Sequence, residues 1–424
     1  MSALPKGWKT VRLGDVTSKP QYGYTTKSSA VGNVRYLRTT DLTSGKVNWE
    51  SVPYCVENPV IISKYQLKNN DIVISRAGSV GFHSLIKNPP ANTVFASYLI
   101  RFEPNGNIEP KYLSHFLNSR EYWEQITEKA AGVAVQNVNA KKLADLTLPL
   151  ASKSQQKRIA DKLDSVLAKV DAAQARLDKI PTLLKRFRQS VLAAATSGEL
   201  TKEWREENGV AIECWQKIEL KDVCRSISDG DHQAPPKVEK GIPFLVISNV
   251  SRGYINFGTV SRWVPQNYYD SLKSIRKPEL GDILYTVTGS FGIPLIVNTC
   301  DNFCFQRHIA IIKPIDKVIE PYFLKLFLES PKIYKHASKI ATGTAQKTVS
   351  LTNLRKFPIT LPSKEEQVEI SNKVIELFEH ANTVEKQYQA AKARLDKLTQ
   401  SILAKAFRGE LVTADDCDIE QVVS

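Results

Sequence analysis

Apolar residues recur in alternating steps of four and three positions along two long stretches of the chain. The first stretch runs from Ile159 to Val191, and the second from Ile370 to Ile402. Unbroken heptads of this kind predict two long helices with a narrow apolar seam, the pattern of a coiled coil rather than of an ordinary core helix. The predicted seam residues are Ile159, Leu163, Val166, Val170, Ala173, Leu177, Ile180, Leu184, Phe187 and Val191, then Ile370, Val374, Leu377, Ala381, Val384, Tyr388, Ala391, Leu395, Leu398 and Ile402.

The ends of both helices carry residue types that start and stop helices. Serine followed three positions later by Gln or Glu is typical of a capping box, and glycine is typical of the position just beyond a helix. These signals are Ser152 with Gln155, Ser363 with Glu366, Gly198 and Gly409. They predict helices over 153–196 and 364–407. Pro181 lies inside the first seam and should kink or break that helix near Ile180, because proline removes a backbone hydrogen bond.

The chain also repeats itself. QSVLAAATSGEL, ending at Leu200, agrees at eight of twelve positions with QSILAKAFRGEL, which ends at Leu411. The same offset aligns Asp71-Ile72 with Asp282-Ile283 and GSVG with GSFG. The repeat spans about half of the chain, so it indicates a tandem duplication rather than a solenoid of short repeats. Each half then consists of a body followed by one of the two helices.

The two bodies mix strand and helix patterns in the same order. VRYLRTTDL, DIVISRAG and TVFASYLIRFE predict strands in the first body, and IPFLVISNV, DILYTVTG and CFQRHIAIIK predict strands in the second. EPKYLSHFLNSREYWEQI and EPYFLKLFLESPKIYKHASKI predict helices at equivalent places. We therefore predict an α+β fold with two similar bodies, separated by two long antiparallel helices that form an intramolecular coiled coil with pseudo-two-fold symmetry. The predicted divisions are body 1 at 1–151, a first helix region at 152–208, body 2 at 209–362, a second helix region at 363–412 and a tail at 413–424.

The net charge of the chain indicates which class of partner it binds. The formal net charge is +14 and the pI is about 9.3, which favours polyanionic partners and nucleic acid first, although a basic surface can also serve solubility alone. No apolar run approaches the roughly 18 residues that a membrane span needs, and the start MSALPKGWKT has no apolar signal region. Six scattered cysteines suit a reducing compartment. We expect a cytoplasmic protein without a membrane partner.

The sequence offers little catalytic apparatus. It contains no phosphate-binding loop of the G-x-x-x-x-G-K-[ST] type. Asn88-Pro89-Pro90 resembles part of an adenine methyltransferase motif, but Ala91 stands where an aromatic residue should stack on a flipped base. Cys300, Cys304 and His308 share a four-residue spacing in a strand region, where that spacing favours buried thiols over a zinc site. We expect no catalytic residue and no metal ligand in this chain.

Basic residues interleaved with aromatics and amides are the candidates for DNA contact. Arginine can bind guanine bidentately, glutamine can bind adenine, and lysine more often holds phosphate. The candidates are Arg35, Tyr36, Arg38, Arg76, Gln136, Lys141 and Lys142 in body 1, and Arg252, Arg262, Arg276, Arg307, Gln346 and Lys347 in body 2. Each one taken alone is better explained as a solvated surface charge, and only the set as a whole favours DNA contact. Arg76 follows the strand DIVIS, and the equivalent place in body 2 holds Val287, which favours base readout by Arg76 over a phosphate contact that both bodies would need. An ion pair of Arg76 with a neighbouring acid, which would only support the fold, is an equal alternative.

Four stretches resemble the specificity subunits of type I restriction–modification systems, in particular their enterobacterial branch. They are LPKGWKTVRLGDV, LPLASKSQQKRIADKLD, KRFRQSVLAAATSGELTKEWR and LTQSILAKAFRGEL, and the resemblance covers nearly the whole chain. Gln155 departs from the family, which usually has Glu there. The resemblance implies that each body is a target-recognition domain reading half of a split, asymmetric DNA site, and that the spacer helices dock the methyltransferase subunits.

The resemblance also implies the partners. One copy of this chain would assemble with two modification subunits, which methylate adenine with S-adenosylmethionine, and with restriction subunits that use ATP and Mg²⁺ to translocate and cut DNA. This chain would bind none of these cofactors itself. Two other functions stay open from the sequence: a stand-alone DNA methyltransferase with its own catalytic site, and a coiled-coil scaffold with no role on DNA.

Overall fold

The computed structural model describes residues 4–43, 45–130, 137–230, 235–344 and 346–412. Contacts divide the chain into two compact units. Unit 1 comprises the described residues of Met1–Asp178 and Gln389–Ser424, and unit 2 comprises those of Lys179–Tyr388. Each unit therefore contains one body together with segments of both helix regions. Within the described ranges, no helix is both long enough and apolar enough to cross a membrane.

Unit 1 is built around a four-stranded antiparallel sheet with the strand order β2-β9-β6-β7. A second sheet has the order β3-β5-β4-β8 with β4 parallel to β8, and β1 pairs with β10. Its strands are β1 Lys9–Arg12, β2 Gln21–Tyr22, β3 Ser28–Ser29, β4 Arg35–Leu37, β5 Tyr54–Cys55, β6 Ile72–Ser75, β7 His83–Leu85, β8 Thr93–Phe95, β9 Leu99–Phe102 and β10 Thr147–Leu150. Its helices are α1 Ile62–Tyr65, α2 Pro110–Phe116, α3 Arg120–Ala130, α4 Ala140–Ala144 and α5 Lys153–Leu177.

Unit 2 repeats this plan. Its four-stranded sheet has the order β12-β18-β15-β16, its second sheet has the order β14-β13-β17 with β13 parallel to β17, and β11 pairs with β19. Its strands are β11 Gln216–Glu219, β12 Cys224–Asp229, β13 Ile242–Leu245, β14 Trp263–Val264, β15 Ile283–Thr286, β16 Pro294–Ile296, β17 Cys304–Phe305, β18 Ile309–Pro314 and β19 Pro358–Leu361. Its helices are α6 Ile180–Ser197, α7 Lys202–Asn208, α8 Ile247–Val250, α9 Gln266–Ser271, α10 Pro321–Glu329, α11 Pro331–Ile340 and α12 Leu351–Arg355. The helix α13, Lys364–Phe407, belongs in part to each unit.

The central strands follow directly from the sequence. All four residues of β6 and all four of β15 are buried, as expected for continuous apolar runs covered on both faces. Several other predicted elements are split by turns. TVFASYLIRFE forms β8 and β9 around a turn in which the N–H of Leu99 donates to Ala96, and CFQRHIAIIK forms β17 and β18 in the same way. VRYLRTTDL bends after β4, because the carboxylate of Asp41 accepts from the N–H of Arg38. Each predicted body helix is likewise two helices, α2 with α3 and α10 with α11.

The first predicted long helix is broken near Ile180, as Pro181 indicates. The helix α5 ends at Leu177, a two-residue turn follows, and α6 begins at Ile180 with Pro181 in its first turn, where its missing N–H costs nothing. The second long helix is continuous, and α13 occupies the predicted range 364–407. The capping box at Ser152 and Gln155 is complete, and Gly198 ends α6 with a φ of 86°.

The apolar seams are most deeply buried where the helices meet the bodies. In unit 1, Ile159 and Leu163 at the start of α5 share a core with Ile402 and Phe407 at the end of α13. This arrangement requires these two segments to run antiparallel. Farther from the bodies, the predicted seam side chains of the described helices are less deeply buried. The predicted seam residue Leu398 of α13 is 46% exposed, so it is not buried between helices as a seam residue should be.

Unit 2 pairs its helix segments in the same antiparallel sense. Val191 at the end of α6 shares a core with Ile370 and Val374 at the start of α13. Further along, the guanidinium of Arg188 donates to Asn382 at 2.7 Å and to Glu385 at 3.0 Å. Predicted seam residues of unit 2 that lie farther from the body are also exposed. Phe187 is 39% exposed and Val384 is 42% exposed.

Candidate nucleic-acid interface

Arg76 and Val287 occupy the same backbone position in the two units. The N–H of Arg76 donates to the carbonyl of Tyr98 at 2.9 Å, and that of Val287 donates to His308 at 2.9 Å. The carbonyl of Arg76 accepts from Val138 at 2.9 Å, and that of Val287 accepts from Val349 at 2.9 Å. The sequence alignment of these two positions is therefore confirmed by the geometry of the chain around them.

Tyr22 and Asp229 are a second equivalent pair, at the ends of β2 and β12. Tyr22 pairs with Ile100 and Asp229 with Ala310 in their sheets. Each residue is followed by a glycine that lies against the turn before the neighbouring strand. A Cβ at Gly23 would overlap the carbonyl oxygens of Phe95 and Ala96, and one at Gly230 would overlap those of Phe305 and Gln306. The close approach requires glycine and holds the preceding side chain at the same edge of the sheet.

The two edges present different chemistry on this common frame. In unit 1 the guanidinium of Arg76 lies over the ring of Tyr22, 5.1 Å from its centroid, and the Tyr22 hydroxyl accepts from the N–H of Ala140 at 3.0 Å. The buried Nε of Arg76 has no hydrogen-bond partner among the described residues. The stacking on Tyr22 holds the guanidinium at the sheet edge. In unit 2, Asp229 takes the place of the Tyr22 ring, and Val287 takes the place of the Arg76 guanidinium.

An open cavity of about 460 Å³ lies beside this edge of unit 2. Asp229 and Val287 line it at the strand ends, and Arg307 and His308 line it from the turn between β17 and β18. Gln346 borders it as well. The guanidinium of Arg276 lies 3.9 Å from Asp229. Three of the predicted residues, Arg276, Arg307 and Gln346, are thus brought together with the unpredicted Asp229.

Three of the predicted residues of unit 1 are engaged inside the unit. Arg35 donates to the carbonyls of Trp49 and Val52, at 2.6 and 3.0 Å. Tyr36 is 5% exposed, its hydroxyl donates to the carbonyl of Tyr24, and burial raises the pKa of its phenol. Arg38 binds both oxygens of Asp41, at 3.2 and 3.0 Å. These contacts give each side chain a role in the fold.

The remaining predicted residues differ in setting. Lys141 and Lys142 are exposed on α4, and the Lys142 ammonium donates to the carbonyl of Lys129 at 2.9 Å. Gln136 lies outside the described residues. In unit 2, Arg252 and Lys347 are exposed. Arg262 lies over the ring of Phe244, 5.3 Å from its centroid, and donates to the carbonyl of Pro235, so it also supports the fold.

Tyr22 and Asp229 were missed by the search for basic residues. The signal that could have found them is the glycine after each, in QYGY and SDG, because a glycine at a strand end marks a close approach of backbones. Within the part of the chain that the structure describes, no three His, Cys, Asp or Glu side chains converge as metal ligands would. The expectation of buried thiols agrees with Cys304, which is buried, but not with Cys300, which is exposed.

Comparison with known families gives a match over both halves of the chain. A family described as the type I restriction modification DNA specificity domain matches residues 5–182 and again residues 212–391. The two matches coincide with the internal duplication. Both bodies therefore belong to one domain type.

Curated relatives align with most of the chain, and two of them with almost its whole length. The type I restriction enzyme EcoKI specificity subunit of Escherichia coli strain K12 is 30% identical over 427 residues, spanning 96% of this chain and 90% of that protein. The EcoBI specificity subunit of Escherichia coli is 37% identical over 306 residues, spanning 68% of this chain and 64% of that protein. The StySPI specificity subunit of Salmonella potsdam is 29% identical over 427 residues, 96% of this chain and 90% of that protein.

Solved structures share the fold. A chain from a structure on complex assembly and conformational transition of the type I R-M system aligns with a TM-score of 0.69 at 20% identity, covering 97% of this chain and 100% of that chain. The HsdS subunit from Thermoanaerobacter tengcongensis aligns with a TM-score of 0.62 at 22% identity, covering 96% and 98%. A stand-alone methyltransferase is not supported by these relatives, which are named as specificity subunits. With two copies of the specificity domain and a relative of this identity along its length, the chain belongs to the family of type I restriction–modification specificity subunits.

Proposed function

We propose that this chain reads a split, asymmetric DNA site for a type I restriction–modification complex, one half-site with each unit. The observation that carries the proposal is one backbone frame used twice with different side chains at its edge. Arg76 over Tyr22 in unit 1 and Val287 beside Asp229 in unit 2 cannot read the same base edge. Two readers with a common frame and different chemistry suit two different half-sites. The net charge of +14 supports a polyanionic ligand.

We infer the partners from the family resemblance. We infer that the spacer helices α5, α6 and α13 dock two modification subunits, which methylate adenine with S-adenosylmethionine, and that restriction subunits using ATP and Mg²⁺ join them. One copy of this chain would serve each complex, in the cytoplasm. In this scheme the chain contributes recognition and assembly, while methylation and cleavage reside on its partners. Exposed apolar residues along the helices, such as Leu183 at 58% exposure, are compatible with docking there.

Exchange of one body tests the proposal. Residues 1–150 end at β10, immediately before α5, and can be replaced by the corresponding segment of a related specificity subunit. Methylome sequencing of cells that express the full system should show one altered half-site and one unchanged half-site. Changes in both half-sites would show that the units do not read independently. An assembled complex that binds all DNA sequences equally, and loses that binding as salt is added, would leave only nonspecific phosphate contact.

A second measurement separates the remaining alternatives. The isolated chain should not bind S-adenosylmethionine, whereas the complex with modification subunits should. Binding by the isolated chain would support an enzyme with its own methylation site. A scaffold without a role on DNA would leave the sequence preference of the complex unchanged after exchange of residues 1–150.

A further inference from the structure

The helices α3 and α11 occupy equivalent places in the two units. The offset that relates the two halves of the chain aligns Trp123 of α3 with Tyr334 of α11. Each of these rings lies against the glycine that ends the GSVG or GSFG turn. A Cβ at Gly81 would come within 3.0 Å of the Trp123 ring, and one at Gly292 within 2.8 Å of the Tyr334 ring. The two helices therefore pack on their units in the same way and turn equivalent faces outward.

The outward faces of α3 and α11 carry opposite charges. Positions three and four apart lie on one face of a helix. One exposed face of α11 carries three lysines with this spacing, and the aligned face of α3 carries three glutamates. We call these glutamates the acidic stripe and these lysines the basic stripe. The aligned pairs, all exposed, are Glu121 with Lys332, Glu124 with Lys335, and Glu128 with Lys339.

Contacts within unit 1 leave the acidic stripe accessible. Glu124 forms an ion pair with Arg120 of the same helix at 2.7 Å. The side chains of this pair are 60% and 78% exposed, and an exposed pair of this kind contributes little to stability. Glu124 can therefore exchange Arg120 for another cation at little cost.

Neither DNA nor the modification subunits fit both stripes. A duplex carries negative phosphates along both half-sites, so a duplex lying alike on the two units would be attracted by the basic stripe and repelled by the acidic one. Two identical modification subunits would also meet opposite charges at equivalent places. This exclusion rests on the proposed function. A partner that fits both stripes must itself present both, and a second copy of this chain does so.

We propose that the acidic stripe of one copy binds the basic stripe of a second copy. Both stripes cover seven helical positions, about 10 Å along the axis, with the same spacing between their charges. Three Glu–Lys pairs can therefore form together. The contact joins different surfaces of the two copies, α3 of one and α11 of the other.

The contact is weak and depends on salt. One exposed ion pair strengthens association about 1.4- to 5-fold, so three pairs strengthen it about 3- to 150-fold. Salt screens such pairs, since the Debye length falls from about 10 Å at 0.1 M to about 3 Å at 1 M. Self-association should therefore rise with protein concentration at low salt and be lost at high salt.

The experiment uses the full chain assembled with its modification subunits, without DNA. Sedimentation velocity over a concentration series measures self-association at about 0.1 M and about 1 M salt. The wild type should associate at the lower salt concentration only. One triple variant reverses the basic stripe, and the other reverses the acidic stripe. They are Lys332→Glu with Lys335→Glu and Lys339→Glu, and Glu121→Lys with Glu124→Lys and Glu128→Lys.

Each triple variant alone should associate at least about 3-fold more weakly than the wild type. A mixture of the two variants should regain association, because one carries two acidic stripes and the other two basic stripes. The matched control makes the same change in net charge at scattered exposed positions of unit 2, and it should associate as the wild type does. It combines Lys217→Glu, Lys240→Glu and Lys273→Glu.

Three results would overturn the inference. They are a wild type that does not associate at low salt, a control that weakens association as much as the stripe variants do, and a mixture of variants that stays apart. Reversal of the basic stripe that lowers DNA affinity with a smaller salt slope, while self-association is unchanged, would also overturn it, since the lysines would then hold phosphates. Failure of the proposed function looks different: the wild-type complex would show no sequence preference on DNA, whatever its self-association.

Discussion

Arg205 of α7 donates to the carboxylate of Glu366 on α13 at 2.7 Å, and the Glu366 side chain is fully buried. The same carboxylate accepts from the Thr201 hydroxyl at 2.7 Å and from the indole N–H of Trp215 at 2.8 Å. Glu366, predicted as the partner of Ser363 in the capping box of α13, therefore ties α7 and the start of the second body to that helix. Gln155, at the equivalent position in unit 1, makes the simpler capping box with Ser152.

Breaking this buried pair should destabilise unit 2 strongly. Glu366→Ala leaves the Arg205 guanidinium buried without its partner, and such a change costs about 3–5 kcal/mol in the free energy of unfolding. Thermal unfolding of the full chain measures the loss. Glu376→Ala on the exposed side of the same helix is the control and should change the melting temperature little. The double change Glu366→Leu with Arg205→Met should cost less than Glu366→Ala alone, because no unpaired charge remains. Equal losses in both variants would contradict this view of the pair.

Arg76 should read one base in the half-site of unit 1. Within the described residues its guanidinium stacks on the ring of Tyr22 and forms no ion pair with a carboxylate, which favours base readout over support of the fold through a neighbouring acid. Arg76→Ala should relax one position of the first half-site by about 1–3 kcal/mol of discrimination and leave the second half-site intact. Binding of the assembled methyltransferase to a panel of single-base DNA variants measures this. A uniform loss across the panel with a smaller salt slope would indicate a phosphate contact.

The ring under Arg76 provides a matched pair of variants. Tyr22→Phe removes the hydroxyl that accepts from Ala140 but keeps the stacked ring, so specificity at the Arg76 position should persist. Tyr22→Ala removes the ring, and the cation then loses the surface that orients it. Discrimination at that one position should fall in Tyr22→Ala and not in Tyr22→Phe, on the same DNA panel. The opposite order would show that the hydroxyl bond, not the stacking, positions Arg76.

Unit 1 should lose stability in mild acid. Burial lowers the pKa of His83 to about 4, and burial also lowers the pKa of His115, although Asp164 at 2.8 Å acts against that shift. The unfolded chain binds more protons than the folded unit between about pH 4 and 6.5, so stability falls as the pH falls through this window. The His83 shift alone corresponds to about 3 kcal/mol.

The melting temperature measured against pH tests this directly. His83→Phe should flatten the fall below pH 6.5, because the buried imidazole no longer has to stay neutral. His380→Gln, on the exposed surface of α13, is the control and should leave the slope as in the wild type. An unchanged slope in His83→Phe would mean that other groups set the acid sensitivity.

The spacing between the two DNA half-sites is best tested by insertions in the turn between α5 and α6, rather than by insertions within α6. In a ruler model, the length of the helices sets the distance between the two half-sites on DNA. Residues added near a helix end should then lengthen the unread spacer between those half-sites. Insertion after Leu192 would disturb the core of unit 2, because Leu192 is 5% exposed there. Asp178 and Lys179 are exposed in the turn where the chain passes from one unit to the other. Insertion between them should change the spacer in methylome maps with both half-sites unchanged, and altered half-site bases would contradict the ruler.

The sequence predicted the periodic and repeated parts of the fold well. The seam from Ile370 to Ile402 gave the range of α13 correctly, and Pro181 predicted the break before α6, since both signals are local. The turn at 96–98 was missed, because apolar residues continue through it and only the bond from Leu99 to Ala96 reveals it.

The candidate site was harder to predict than the fold. Arg35 and Tyr36 fit the composition of a DNA contact, but their polar atoms bind partners distant in sequence, such as Trp49. Asp229 carries no such compositional signal. Its position at the edge of the sheet depends on the register that places it against Ala310, and register is a property of the folded sheet.

The division of α13 between the two units has a consequence for how the chain is made. The core of unit 1 contains Phe407, which packs edge-on against Tyr112 at 5.2 Å and against Phe116 at 5.3 Å. On a ribosome these partners emerge far apart in time, because all of unit 2 is translated between them. At usual rates of synthesis the delay is roughly 15 to 60 s. Unit 1 therefore completes its core last, although most of it is synthesised first. Until then the apolar surface of unit 1 that packs against the end of α13 is exposed to solvent. We expect a chaperone to bind this surface during synthesis.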